Sequence, residues 1–217
     1  MPDWRWDGVA NRYRDLDTGR FLSREKALSW VDACTRASDS FGDTMASLVS
    51  GGRVNAVDWL AGMRQEIKEE YIRQYLLGRG GLEQMTPSDW GSIGGMLKEQ
   101  YSYLSGFYQE IAAGNLSEAQ IAMRSNMYTN SAREAFERAQ AKVAAAAGMD
   151  EVIWEVSAGV ENCEDCLAFA AMGWQPVSED PYNGAYPGSG DTQCLTNCQC
   201  FETYRKSETG EVFWEGE

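Results

Sequence analysis

Histidine is missing from this chain of 217 residues, and its absence removes whole classes of mechanism. Ser-His-Asp hydrolases, Cys-His proteases, HNH-type nucleases and histidine-ligated catalytic metals all need an imidazole. Apolar runs of the roughly 18 residues needed to span a membrane are also missing, so no membrane partner is expected. The opening Met-Pro-Asp-Trp-Arg-Trp-Asp lacks the charged and then apolar order of a secretory signal, which makes the cytoplasm the default expectation. Basic residues are scarce, 19 against 33 acids, for a net charge of −14. Residues 149–217 hold 14 of those acids against only Arg205 and Lys206. Such a segment repels phosphate, so nucleic acid is not an expected partner of the tail, and any DNA contact falls to residues 1–148.

What is present is enough apolar sequence, 43% of the residues, to bury a sizeable core. Residues 11–23 suggest two short arms around an Asp17-Thr18-Gly19 turn, a hairpin or clasp. Ser23 can cap a helix whose stripe is Ala27, Val31, Cys34, Phe41, Met45 and Leu48, ending at Gly51-Gly52. Cys34 on that stripe is expected to be a buried core thiol. A second helix is expected from about Asn55 to Leu77, with Leu60, Met63, Ile67, Tyr71 and Gln74 on one face. Acids such as Glu66, Glu69 and Glu70 on it are candidates for carboxylate chemistry, and beside Lys68 and Arg73 they are expected to form a solvated face. Thr86-Pro87 opens a third helix with Trp90, Ile93, Leu97, Tyr101, Leu104, Tyr108 and Ile111 inward, and Gly94-Gly95 is expected to mark a kink or close crossing. Ser117 and Gln120 form a capping box for one long helix to Ala147, with Gly148 at its end.

After Gly148 the texture changes, with a strand expected at 152–156 and another at 211–214 paired with 201–204. The expected fold is mainly α: a helical region of about four helices with a small C-terminal α+β or loop-rich module. Its expected parts are a clasp over 1–22, a helical domain over 23–148 and a cysteine-rich module over 149–217.

Five of the six cysteines fall between residues 163 and 200: Cys163-x-x-Cys166, then Cys194-x-x-x-Cys198-x-Cys200. Thiolates are soft ligands for zinc, and two close groups separated by a loop can complete a tetrahedron. One structural Zn²⁺ per chain is therefore expected on four of Cys163, Cys166, Cys194, Cys198 and Cys200, with Cys163, Cys166 and Cys198 the more secure. Either Cys194 or Cys200 is the fourth, and disulfides remain the competing reading. Trp154, Phe169 and Trp174 are expected to pack over the site.

The helix bearing Asn130-Ser131-Ala132-Arg133, the strand with Trp154, the Cys163-x-x-Cys166 turn and the closing Asn197-Cys198-Gln199-Cys200 together resemble the Mu-type phage minor head, or head morphogenesis, family over roughly residues 117–204. Gln199 stands where that family usually has arginine. A histidine that often precedes the segment is missing here, and Cys194 is the residue placed to stand in for it. Tyr13-Arg14-Asp15 with Thr18-Gly19-Arg20-Phe21 is similar to a short leader on several phage products. The resemblance implies a non-enzymatic virion protein, made in the host cytoplasm, with phage portal or capsid proteins as partners and self-association as a further option. The alternatives are a prophage-encoded effector and a zinc-stabilised adaptor or regulator.

Overall fold

The computed structural model describes residues 4–10 and 12–214. Residues 1–3 of the opening, Asn11 of the expected clasp and residues 215–217 of the acidic tail lie outside the described residues. The fold is mainly α, as expected. Helices α1 (Arg24–Ser50), α2 (Ala56–Arg79) and α3 (Pro87–Ala112) begin at Ser23, Asn55 and Thr86, whose side chains accept from backbone N–H groups of the first turn. Each cap satisfies a donor that the helix itself leaves unpaired. Thr86 and Asp89 form a reciprocal capping box.

Two expectations about the helices are corrected. The run from Ser117 to Ala147 is divided into α4 (Glu118–Asn130) and α5 (Arg133–Ala146). Ala132 N–H bonds to Thr129 O and Ala135 N–H to Ala132 O, the tighter spacing of a 3₁₀ turn. Ser131 Oγ lies 2.8 Å from Tyr71 Oη, which anchors the break against α2. Gly94-Gly95 does not mark a close crossing: α3 runs through it, and added Cβ atoms there would meet nothing within 4 Å. The close crossings use other glycines. A Cβ on Gly78 would lie 2.5 Å from the carbonyl oxygen of Phe136 and 2.7 Å from Ala139 Cβ, where α2 meets α5. A Cβ on Gly42 would lie 2.2 Å from Asn126 Oδ1, where α1 meets α4. Trp90, expected inward, is 43% exposed, and its neighbour Asp89 is buried in its place. Asp89 binds Tyr75 Oη at 2.8 Å and Lys142 Nζ at 3.0 Å.

The clasp differs from expectation in its pairing. Strand β2 (Arg12–Asp15) pairs antiparallel with β1 (Trp4–Asp7), while Phe21 returns to Arg14 in a single bridge beyond the Gly19 turn. Tyr13 is fully buried, donates to Gly78 O at 2.5 Å and accepts from Gln140 Nε2 at 2.9 Å. The rings of Trp4 and Trp30 stack at 4.3 Å, and Tyr13 meets Trp214 at 4.3 Å. The hairpin thereby joins the helices to the C-terminal end of the chain.

In the C-terminal part, β3 (Glu151–Glu155) lies between β4 (Gln175–Pro176) and β5 (Phe201–Arg205), both antiparallel to it. Helix α6 (Glu164–Ala171) packs beside β3. The expected pairing of 201–204 with 211–214 is reduced to one bridge, Arg205 to Val212, since β5 spends its ladder on β3. Two apolar clusters result. One is confined to the helices, around Trp59, Met63, Tyr71 and Phe107. The other runs without interruption from Trp4, Tyr13 and Val31 through Phe136 and Val143 to Trp154, Cys166 and Trp214.

Candidate metal centre

The two ends of the cysteine cluster are positioned by different elements. Cys163 is the N-cap of α6 and Cys166 lies in its first turn, so the helix start brings both sulfurs to one side and supplies the positive dipole end that favours thiolate. Cys194 and Cys198 flank a 3₁₀ turn over Leu195–Asn197, and Cys200 immediately precedes β5. Asp165 joins the two halves, accepting from Gln193 N at 2.8 Å and from Gln193 Nε2 at 3.3 Å. Asn162 Nδ2 closes the preceding turn onto Ser157 O at 3.1 Å, and Ser157 Oγ donates to Gln199 O.

All five sequence-predicted cysteines come together. Cys166 Sγ lies 3.7 Å from Cys194 Sγ and 3.6 Å from Cys198 Sγ. Two overlapping triads share Cys166: Cys163–Cys166–Cys194 and Cys166–Cys198–Cys200, each with its sulfurs within 4.8 Å of one another. All six cysteines of the chain are free thiols. A tetrahedral ion with metal–sulfur bonds of about 2.3 Å separates its sulfurs by about 3.8 Å, close to the spacing around Cys166. The spacing around Cys166 therefore suits a soft metal ion, and the cluster can hold one.

Burial, together with the neighbouring Cys163 thiol, raises Cys166. The hydrogen bond between Cys198 and Cys200 pushes Cys198 up and brings Cys200 down to about 6. A metal that binds thiolate displaces protons here, which couples its affinity to pH.

The covering side chains are Trp154, Phe169 and Tyr182, with ring centroids 5.0–5.2 Å apart. Trp174, expected among them, lies outside this group and stacks under the Arg205 guanidinium at 4.3 Å. Tyr182 takes that place, and nothing in its spacing from the cysteines marked it. Cys34 is only half-buried, against the edge of the larger apolar cluster, rather than sealed in the core.

Behind the cysteines lies a buried ionic group that sequence patterning did not reveal. Arg133 donates to Cys200 O at 3.1 Å and faces Glu137 at 3.8 Å, beyond hydrogen-bond reach. Arg24 binds Glu202 O and Thr203 Oγ1, and Tyr204 donates to the Glu202 carboxylate. Burial raises Glu137, and it raises Glu202 to about 8 against the opposing Tyr204 hydrogen bond. Among the candidate acids on α2, Glu70 also departs from expectation. It is fully buried, with Ser38 Oγ at 3.2 Å and Gln74 Nε2 at 2.6 Å. Glu66 shares the Ser38 hydroxyl at 2.7 Å and Glu69 accepts from Gln65 on the surface. These contacts make α1–α2 packing the evident role of Glu70.

Fold and site together define a class: a mainly helical protein with a C-terminal module organised around a thiol cluster that can hold a metal ion. No protein-family model, curated protein or solved structure matches the chain.

Proposed function

We propose that the chain is a non-enzymatic structural protein of a phage head, with one structural zinc ion per chain fixing its C-terminal loops for contact with portal or capsid proteins. The observation that carries this reading is a physical link between the two motifs behind the family resemblance. The Asn130 and Asn197 side-chain amides lie 3.3 Å apart, and Arg133 binds the carbonyl of Cys200. The Asn-Ser-Ala-Arg break between α4 and α5 thus serves as the seat for the Asn-Cys-x-Cys loop, a reason for the two to occur together. Zinc suits four thiolates with little strain and, when so saturated, has no position for a reacting water. Its role is then to hold loops that have little helix or sheet of their own.

The surface offered to a partner lies beside this loop. A groove of about 500 Å³ runs between α3, α4 and residues 189–196, with Tyr103 and Leu195 exposed at its edge. Leu195 adopts a positive φ of 52°, a strained conformation for a branched side chain that its place in the cysteine loop imposes. Two measurements test the reading. Elemental analysis of protein purified under reducing conditions is expected to give about one zinc per chain. Peptide mass spectrometry of purified particles of the encoding phage is expected to find the chain in the head. Its absence from particles would remove the virion role, whatever the metal content.

A further inference from the structure

Five thiols face a site with four positions, and we propose that the ion is held by Cys163, Cys166, Cys194 and Cys198 while Cys200 stays outside the ligand set. This rests on the zinc reading above and extends it to the assignment of each sulfur. Cys166 is the common vertex, since it belongs to both triads. Its neighbours at close to a tetrahedral edge are Cys194 at 3.7 Å and Cys198 at 3.6 Å. Cys163 completes the triad with Cys166 and Cys194.

The competing triad, Cys166–Cys198–Cys200, is sealed, each member being 3% exposed or less. Cys163 and Cys194 are only half-buried, at the more open side of the small pit of about 40 Å³ that all five cysteines line. Cys200 also has a different set of partners. Its sulfur lies 3.6 Å from Asn162 Oδ1, a contact that points it away from the Cys166–Cys194 side of the cluster. Its carbonyl accepts from Arg133, and the next residue, Phe201, opens the ladder to β3. Protein contacts on both sides hold Cys200 as a wall of the site. Taking it as the ligand in place of Cys194 would break the Asn162 contact and leave an exposed thiol at the rim.

The test uses the full chain loaded with zinc, and then with cobalt(II) as a spectroscopic probe. One zinc per chain and a four-sulfur cobalt spectrum in the wild type establish the parent reading, and no zinc there would overturn that reading itself. Given a loaded wild type, Cys200→Ser and Cys200→Ala are expected to keep one zinc, the same spectrum and an affinity within about threefold. Cys194→Ser and Cys198→Ser are expected to lose the four-sulfur spectrum and weaken zinc by more than the roughly 10–100-fold seen when an outer partner of a ligand is lost. Loss of the spectrum in Cys200→Ser, or its retention in Cys194→Ser, would overturn the assignment. If any variant fails to fold, ¹¹³Cd bound to the wild-type chain decides the question. Couplings from the metal to the β-protons of residues 163, 166, 194 and 198 support the assignment, and a coupling to residue 200 refutes it.

Discussion

Glu202 is held behind the thiol cluster as a residue only 5% exposed, with its pKa raised to about 8, chiefly by burial. An unfolded glutamate titrates near 4.3, so between those values the folded chain binds a proton that the unfolded chain does not. The stability contributed is fully present below about pH 4.3 and is lost as the pH rises through 8. Glu202→Gln keeps an oxygen for the Tyr204 hydroxyl and removes the titration. Urea unfolding at saturating zinc is expected to show the variant gaining on the wild type by about 1 kcal/mol or more between about pH 6 and about pH 8. The pH dependence of the metal itself cancels in that difference. Parallel pH profiles for the two proteins would mean that the carboxyl is already ionised inside the fold. The sequence could not show this group, because Arg24, Glu137 and Glu202 are far apart in the chain and each sits in an ordinary polar context. Arg133 alone carried a signal, as the last residue of the Asn-Ser-Ala-Arg motif.

At the scale of elements, helix starts were readable because capping is local. Ser23, Asn55, Thr86 and Ser117 each accept from a backbone N–H of the turn they begin. Helix crossings were not, since a glycine in a helix looks the same whether another helix lies over it or solvent does. The contrast can be measured. Gly78→Ala drives a Cβ into the Phe136 carbonyl and the Ala139 side chain, so α2 and α5 must separate, and a loss of about 1–3 kcal/mol is expected in denaturant unfolding. Gly94→Ala and Gly95→Ala place a methyl group in open space on the exposed face of α3. Each is expected to stabilise by about 0.5–1 kcal/mol through helix propensity. A neutral Gly78→Ala would show that the crossing relaxes without cost.

Across the whole molecule, the thiol cluster and the N-terminal hairpin share one apolar cluster. Tyr13 packs on Trp214, Trp6 on Phe213, and the Trp214 indole donates to Leu22 O at 3.0 Å. Removing the metal is therefore expected to loosen both ends of the chain. In hydrogen exchange with and without a chelator, protection should fall in residues 149–214 and also in β1 and β2. The helical cluster around Trp59 and Tyr71 should keep its protection, being packed apart from the thiols. A change confined to residues beyond 149 would show that the hairpin is held by the helices alone. The sequence by itself determined the helical class, the starts of α1 to α4 and the convergence of five thiols, because 3.6-residue periodicity, capping and close cysteine spacing act over a few residues. The tertiary structure alone decided that β2 pairs with β1, that Tyr182 rather than Trp174 covers the site, and that Arg133 seats the cysteine loop. Those choices depend on which distant surfaces meet, and a contact between residues 133 and 200 leaves no periodic trace in the chain.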